Sequence, residues 1–333
     1  RQAFNADSTR FVVTASDGSW HLYDARTYRH LKVLPGISGN AEPQWHPTDP
    51  DLLRYFPRDG VGGRLYELDV ANDRSRVLAD LASKLPPGVP RDVVWTKGEG
   101  SPSADHRYWC LMAEDADFVT RWIFTYDLER QTVVGGIRAP EDPDHVSMSP
   151  SGAWCVASFD SSRGIVAYSR DFGTVRQLAG KGEHSDIAVD SNGDDVFVAI
   201  DYQSDRGDVY MYNLRTGRRT VLFPTYLQGS ATAIHFSGKA FARPGWVLAS
   251  TYMDDGGPKQ WLHAKIFAVE LRADPRVLNI AHHHSVSNGY WTEPHASVNR
   301  DFSRVIFNSN WGRDDATDVD AYVVELPPHW SGD

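Results

Sequence analysis

No run of about 18 or more apolar residues occurs in the 333-residue chain, so no transmembrane helix is implied. The signatures of several large enzyme classes are also missing. There is no Gly-x-Ser-x-Gly elbow, no phosphate-binding Gly loop followed by Lys and Ser/Thr, and no His-Glu-x-x-His, so hydrolase, kinase and zincin readings drop away. Asp254-Asp255-Gly256-Gly257 and Asp59-Gly60-Val61-Gly62-Gly63 are turn chemistry, not phosphate cradles. Positive charge is in short supply: 34 Lys and Arg against 44 Asp and Glu give a formal net charge of -10. Nonspecific nucleic-acid binding is therefore disfavoured, although a local basic pocket stays open. The chain begins Arg-Gln-Ala-Phe without a charged-then-apolar leader, from which the expectation is that any targeting segment was removed or never included.

Cysteine is nearly absent. Cys110 and Cys155 both follow a Trp, on corresponding strands of neighbouring repeats. Aligned on the turns ahead of them they differ by one residue in register, and a slip of one sends side chains to opposite faces. The expectation is two buried free thiols.

What the chain does have is a repeat. With 41% hydrophobic and 23% charged residues it is ordinary for a soluble globular protein. Along it recurs an alternating segment, a polar turn, a strand, and a second strand often ending Tyr-Asp-Leu or a close variant. The turns centre on Asp7, Asp49, Asp105, Ser151, Asn192, Phe241 and Asp301, spaced 41 to 60 residues apart. A period near 40 to 50 with about four short strands per unit marks a β-propeller. The predicted fold is all-β, a seven-bladed β-propeller occupying residues 1–333 as a single domain. A β-sandwich explains the strand content but not seven turns followed by the same kind of strand.

In a propeller the strand before each such turn is the innermost, and its first residue lies near one mouth of the channel. Counting back six positions gives Arg1, Pro43, Glu99, His145, Asp186, His235 and His295, with Glu42 next to Pro43 and His184 two before Asp186. Any one of these reads most simply as a solvated rim residue. Together, His145, His184, His235 and His295 fall at or beside equivalent positions in four consecutive blades, which points to a site.

Two chemistries fit. His235, Glu293 and His295 could make a mixed nitrogen and oxygen metal site, since imidazole suits Zn and Mn and carboxylate the harder ions such as Ca. Glu293 and His295, two apart, share one side of an extended segment. The His282-His283-His284 run is either a metal-binding tract or a solvated turn. Without metal, Tyr252, Tyr290 and Arg243, near the same blades, offer a Tyr, His and Arg set for proton transfer beside an anionic substrate. Trp246, Trp261 and Trp291 offer sugar-stacking faces.

With these residues in view, the chain resembles the propeller-type polysaccharide lyases, closest to the oligogalacturonate lyases, with ulvan-type propeller lyases second. The resemblance lies in Glu293-Pro294-His295-Ala296-Ser297-Val298 through Phe307-Asn308-Ser309, and more weakly in Glu42-Pro43-Gln44-Trp45-His46-Pro47-Thr48-Asp49-Pro50. It implies a manganese-type ion held at His235 and His295, with Glu293 where that family has a ligand His and Tyr290 where it has a Gln. His184 matches the family's base. The implied activity is β-elimination of a uronate-containing polysaccharide, with a divalent metal (Mn, Ca or Zn) or an Arg neutralising the carboxylate and no redox cofactor. The candidate catalytic residues are His184, His145, Tyr252 and Arg243; Trp291, Tyr290 and Trp246 would bind substrate. The partner implied is an anionic polysaccharide or oligosaccharide, with no nucleic acid and no membrane span. The location implied is periplasmic or secreted, a cytoplasmic one staying open. The alternative is a non-catalytic glycan- or protein-binding propeller.

Overall fold

The polar residue at each repeat's turn has the same task in most copies. At the first turn a short side chain accepts the backbone N–H two residues on: Asp7 from Thr9, Asp49 from Asp51, Asp105 from Arg107, Ser151 from Ala153 and Asp301 from Ser303. In the fifth repeat Asp190 takes this part toward Asn192. At the later turn, Asp24, Asp69, Asp127 and Asn213 each accept from the N–H groups two and three residues on. Such turns reverse the chain while keeping its backbone groups satisfied. The β-branched and aromatic segments between them pair as antiparallel hairpins.

The computed structural model describes residues 2–332, apart from the side chains of Asp254 and Asp255. It contains seven antiparallel sheets, each made of consecutive strands, the arrangement of the expected seven-bladed β-propeller. Five sheets have four strands; the first and last have three. In the first, a single bridge from Phe4 to Phe11 stands in for the innermost strand. The last consists of Ser297–Val298, Arg304–Ser309 and Asp320–Glu325, with no outer fourth strand among the described residues. Among those residues no helix is long and apolar enough to cross a membrane.

The chain forms two compact units, residues 1–182 with the first four sheets and residues 183–333 with the last three. The first is cored by side chains such as Phe56, Trp109, Phe124 and Tyr126, all essentially inaccessible. In the second, Phe197, Tyr210, Phe267 and Phe302 are buried to the same degree. Burying each such ring contributes about 1.5–3 kcal/mol relative to leaving it exposed.

The expected free thiols are not found: Cys110 and Cys155 form a disulfide with Cα atoms 5.1 Å apart. The one-residue register difference is what allows it. Cys110 lies on Tyr108–Glu114 and Cys155 on Trp154–Ser158, strands of adjacent sheets within the first unit. Sheets stacked face to face must present opposite faces to each other, so side chains pointing opposite ways within their own sheets meet between them.

The third sheet departs from the expected spacing as well. Its inner strand is Val93–Trp95, paired with Tyr108–Glu114, so Glu99 lies beyond that strand and not at its start. Glu42 is buried, its carboxylate accepting from Thr96 N–H (3.2 Å), Thr96 Oγ1 (2.7 Å) and Gly98 N–H. This is a structural clamp, not a charge offered to solvent. Arg1 lies outside the described residues.

Candidate functional site

Within residues 183–333 the inner strands of three successive sheets bring three histidines together. His184 immediately precedes Ser185–Val189, and its carbonyl is tied to Ile200 N–H. His235 sits in Ala231–Ser237 opposite Ser250. His295 comes just before Ser297–Val298 with φ +41°, a left-handed backbone that costs a residue other than glycine on the order of 1–3 kcal/mol. Its neighbours hold it there: Asn308 N–H bonds the Pro294 carbonyl (2.8 Å), and Ala296 N–H bonds Ser250 Oγ (3.3 Å). The His184 and His235 rings stack with centroids 4.3 Å apart, and those of His235 and His295 lie 4.5 Å apart.

Tyr252 joins them from Trp246–Asp255, the strand paired with that of His235. It lies two residues beyond Ser250 and hence on the same face. Its ring stacks on His235 at 4.5 Å, and its Oη lies 3.2 and 3.3 Å from the two ring nitrogens of His184. Burial above all, with Tyr202 and Glu293 adding to it, pushes the Tyr252 hydroxyl pKa well up, so it stays protonated.

Glu293 completes the group. Its Oε2 lies 2.7 Å from His235 Nε2 and 3.6 Å from His295 Nε2. Burial pushes the Glu293 carboxyl up, with His295 and His184 opposing the rise. Burial, then the neighbouring His295, pushes the His235 imidazole down to about 3. His235 is therefore neutral, and a proton is shared across its contact with Glu293. The ligand atoms of His235, Glu293 and His295 all lie within 4.8 Å of one another. Two imidazoles and a carboxylate at this spacing suit a divalent ion, which would take the place of the shared proton. Tyr290 lies beside this group through its backbone and its ring. Its backbone carbonyl accepts from His295 Nε2–H (3.0 Å), and its ring packs on the His295 ring at 4.5 Å.

Tyr290 and Trp291, on the short turn Tyr290–Thr292, are 54% and 65% exposed and meet edge to face. They form an exposed aromatic wall next to His295.

Two expectations come out differently. Arg243 is outside the cluster: it bonds Ser331 Oγ and lies over the Trp330 ring. Trp246 is buried between Trp330 and the Arg276 guanidinium and offers no free face. The reason is distance along one strand, for Trp246 and Tyr252 are six residues apart at about 3.3 Å each, roughly 20 Å. Trp261 packs on Phe223 and Phe267 while staying 40% exposed, so it keeps an open face. In the His282-His283-His284 run the three side chains diverge: His283 is buried and its neighbours are exposed. His283 Nδ1 accepts Ser285 N–H, His282 meets Lys265, and His284 packs on Trp311. His145 belongs to the other unit, where its Nδ1 lies 3.0 Å from Asp144 Oδ2 and 3.8 Å from Glu99 Oε2, a second and more exposed group of possible ligands.

No protein-family model and no curated protein matches the sequence. Among solved structures, one of an oligogalacturonate lyase in complex with manganese is similar, with a TM-score of 0.65 and 15% identity over 99% of this chain and 89% of that one. That likeness shows the fold.

Proposed function

We propose that this protein is a polysaccharide lyase that cleaves an anionic, uronate-containing oligo- or polysaccharide by β-elimination at the cluster of His184, His235, Tyr252, Glu293 and His295. The observation that carries this reading is a Tyr hydroxyl in contact with an imidazole, Tyr252 on His184, directly beside a compact imidazole–carboxylate group. Elimination needs those parts side by side: a base for the C5 proton, a donor for the departing oxygen, and positive charge for the uronate carboxylate.

His235, Glu293 and His295 would hold a divalent ion, Mn, Ca or Zn. When bound, such an ion neutralises the uronate carboxylate and makes the C5 proton more acidic. His184 takes that proton. The C5–H electron pair becomes the C4=C5 double bond as the C4–O bond breaks, and the departing oxygen takes the proton of Tyr252. The proton on His184 then returns to Tyr252 across their contact, so the enzyme regains its starting state with no redox cofactor and no water added. Tyr290 and Trp291 stack against the sugar rings beside His295. The Cys110–Cys155 disulfide supports a periplasmic or secreted location, since such bonds persist in oxidising compartments.

Mass spectrometry of products from a panel of uronate polymers tests the proposal. Elimination yields fragments whose masses add up to that of the substrate, whereas hydrolysis adds one water per cut. Binding of a uronate polymer with no products would favour the non-catalytic glycan-binding reading, which the exposed Tyr290 and Trp291 would also serve.

A further inference from the structure

Two further histidines meet on the outer strands of the first sheet. His21 lies in Ser19–Asp24, and His30 opens His30–Ser38. Tyr23 pairs with His30 and Leu22 with Lys32, so the register skips Leu31. Such a bulge sharpens the local twist. His21 and Tyr23, two apart, share one face of their strand, and His30, directly opposite Tyr23, shares it with them. The His30 ring meets Tyr23 edge to face at 5.2 Å and lies 5.1 Å from the His21 ring. Tyr23 in turn stacks on the buried Phe11, which ties the group to the packed interior.

The contact between the two imidazoles is nitrogen to nitrogen. His21 Nδ1 lies 3.0 Å from His30 Nε2. The other nitrogen of His21 faces the Asp17 carboxylate at 3.2 and 3.3 Å. Asp17 is held by its own turn, where Ser19 N–H donates to Oδ1 at 2.8 Å. A carboxylate that accepts the Nε2–H of His21 leaves Nδ1 as a bare lone pair on the side of His30. This is how a carboxylate fixes the tautomer and orientation of an imidazole that ligates a metal.

We propose that His21 Nδ1 and His30 Nε2 bind one divalent transition-metal ion, Cu2+ foremost, with Asp17 orienting the His21 ring and water in the remaining positions. Two imidazole nitrogens each about 2.0–2.1 Å from one ion stand about 2.9 Å apart at a right angle and about 3.3 Å apart at the tetrahedral angle. The observed separation is near the right-angle value, and square or tetragonal nitrogen and oxygen sites select Cu2+ or Ni2+, of which copper binds more tightly. The ion takes the place of the proton that the two rings share. His30 is exposed and His21 half-buried, so the ion enters directly from solvent. The site belongs to the first unit and uses nothing of the lyase reading.

The test titrates paramagnetic Cu2+ into the full chain while the histidine ring signals are followed by NMR. The His21 and His30 signals broaden in step with each other. Calorimetry with Cu2+ alone then compares variants. His21→Ala and His30→Ala each lose one equivalent that wild type binds, and Asp17→Asn keeps that equivalent with Kd raised about tenfold to a hundredfold. The His235, Glu293 and His295 group is the same in all of these proteins, so it does not enter the difference. Wild-type stoichiometry in both alanine variants, or broadening of one ring without the other, overturns the site, and a wild-type Kd in D17N overturns the part given to Asp17. Should an alanine variant not fold, the NMR titration of wild type decides by itself.

Discussion

Glu293 Oε2 lies 2.7 Å from His235 Nε2, and His295 Nε2 stands 3.6 Å from the same oxygen. One carboxylate oxygen thus faces two imidazoles that are 60 residues apart in the chain. Removing that carboxylate while keeping its shape should weaken divalent-ion binding. Glu293→Gln and His235→Ala are each expected to bind Mn2+ at least about tenfold more weakly than wild type, the loss typical of disturbing even an outer partner of a ligand. Titration calorimetry with the metal alone checks this, and wild-type affinity in both variants would contradict it.

Trp291→Ala should separate binding from chemistry. Losing an exposed stacking face costs about 1 kcal/mol, so KM for a uronate polymer should rise roughly fivefold at unchanged kcat, with metal affinity as in wild type. A fall in kcat at constant KM would place Trp291 in the chemical step instead.

The disulfide gives a prediction for the first unit alone. Cys110→Ser or Cys155→Ser should lower the unfolding free energy by about 2–4 kcal/mol. Thiol titration of denatured, unreduced wild type should detect no free sulfhydryl, and detection of two would contradict the bond.

Asp186 gives a pH dependence. Burial alone would raise its carboxyl pKa, but Lys239 Nζ at 2.7 Å and Gly238 N–H at 2.8 Å hold it below the ordinary value. A depressed folded pKa means that this stabilisation is complete above the unfolded value of about 3.9 and is lost as pH falls through the folded value. Asp186→Asn should cost about 3–5 kcal/mol at neutral pH, because Lys239 stays buried after its carboxylate is removed. The gap from wild type in denaturant titrations should shrink below about pH 4; a gap unchanged into acid would contradict the assignment.

The fold was legible because its turns are local chemistry. Asp7, Asp49, Asp105 and Asp301 cap their own turns within two residues, so the repeat shows in the one-dimensional pattern. His235, Glu293 and His295 were legible for a related reason, as each stands at a countable distance from such a turn. The disulfide is not legible in this way, because register within one sheet does not say how neighbouring sheets stack, and the stacking decides which faces meet. Arg243 and Trp246 are near His235 and Tyr252 in sequence but not in space, because the strand between carries them away.

The central claim concerns His184, and the direct measurement is ultraviolet absorbance from the C4=C5 double bond conjugated to the carboxylate as a uronate polymer is cleaved. Wild type should produce that absorbance, and folded His184→Ala should produce it at least about a hundredfold more slowly. Equal rates for the two proteins, or cleavage by wild type without the absorbance, would contradict the account.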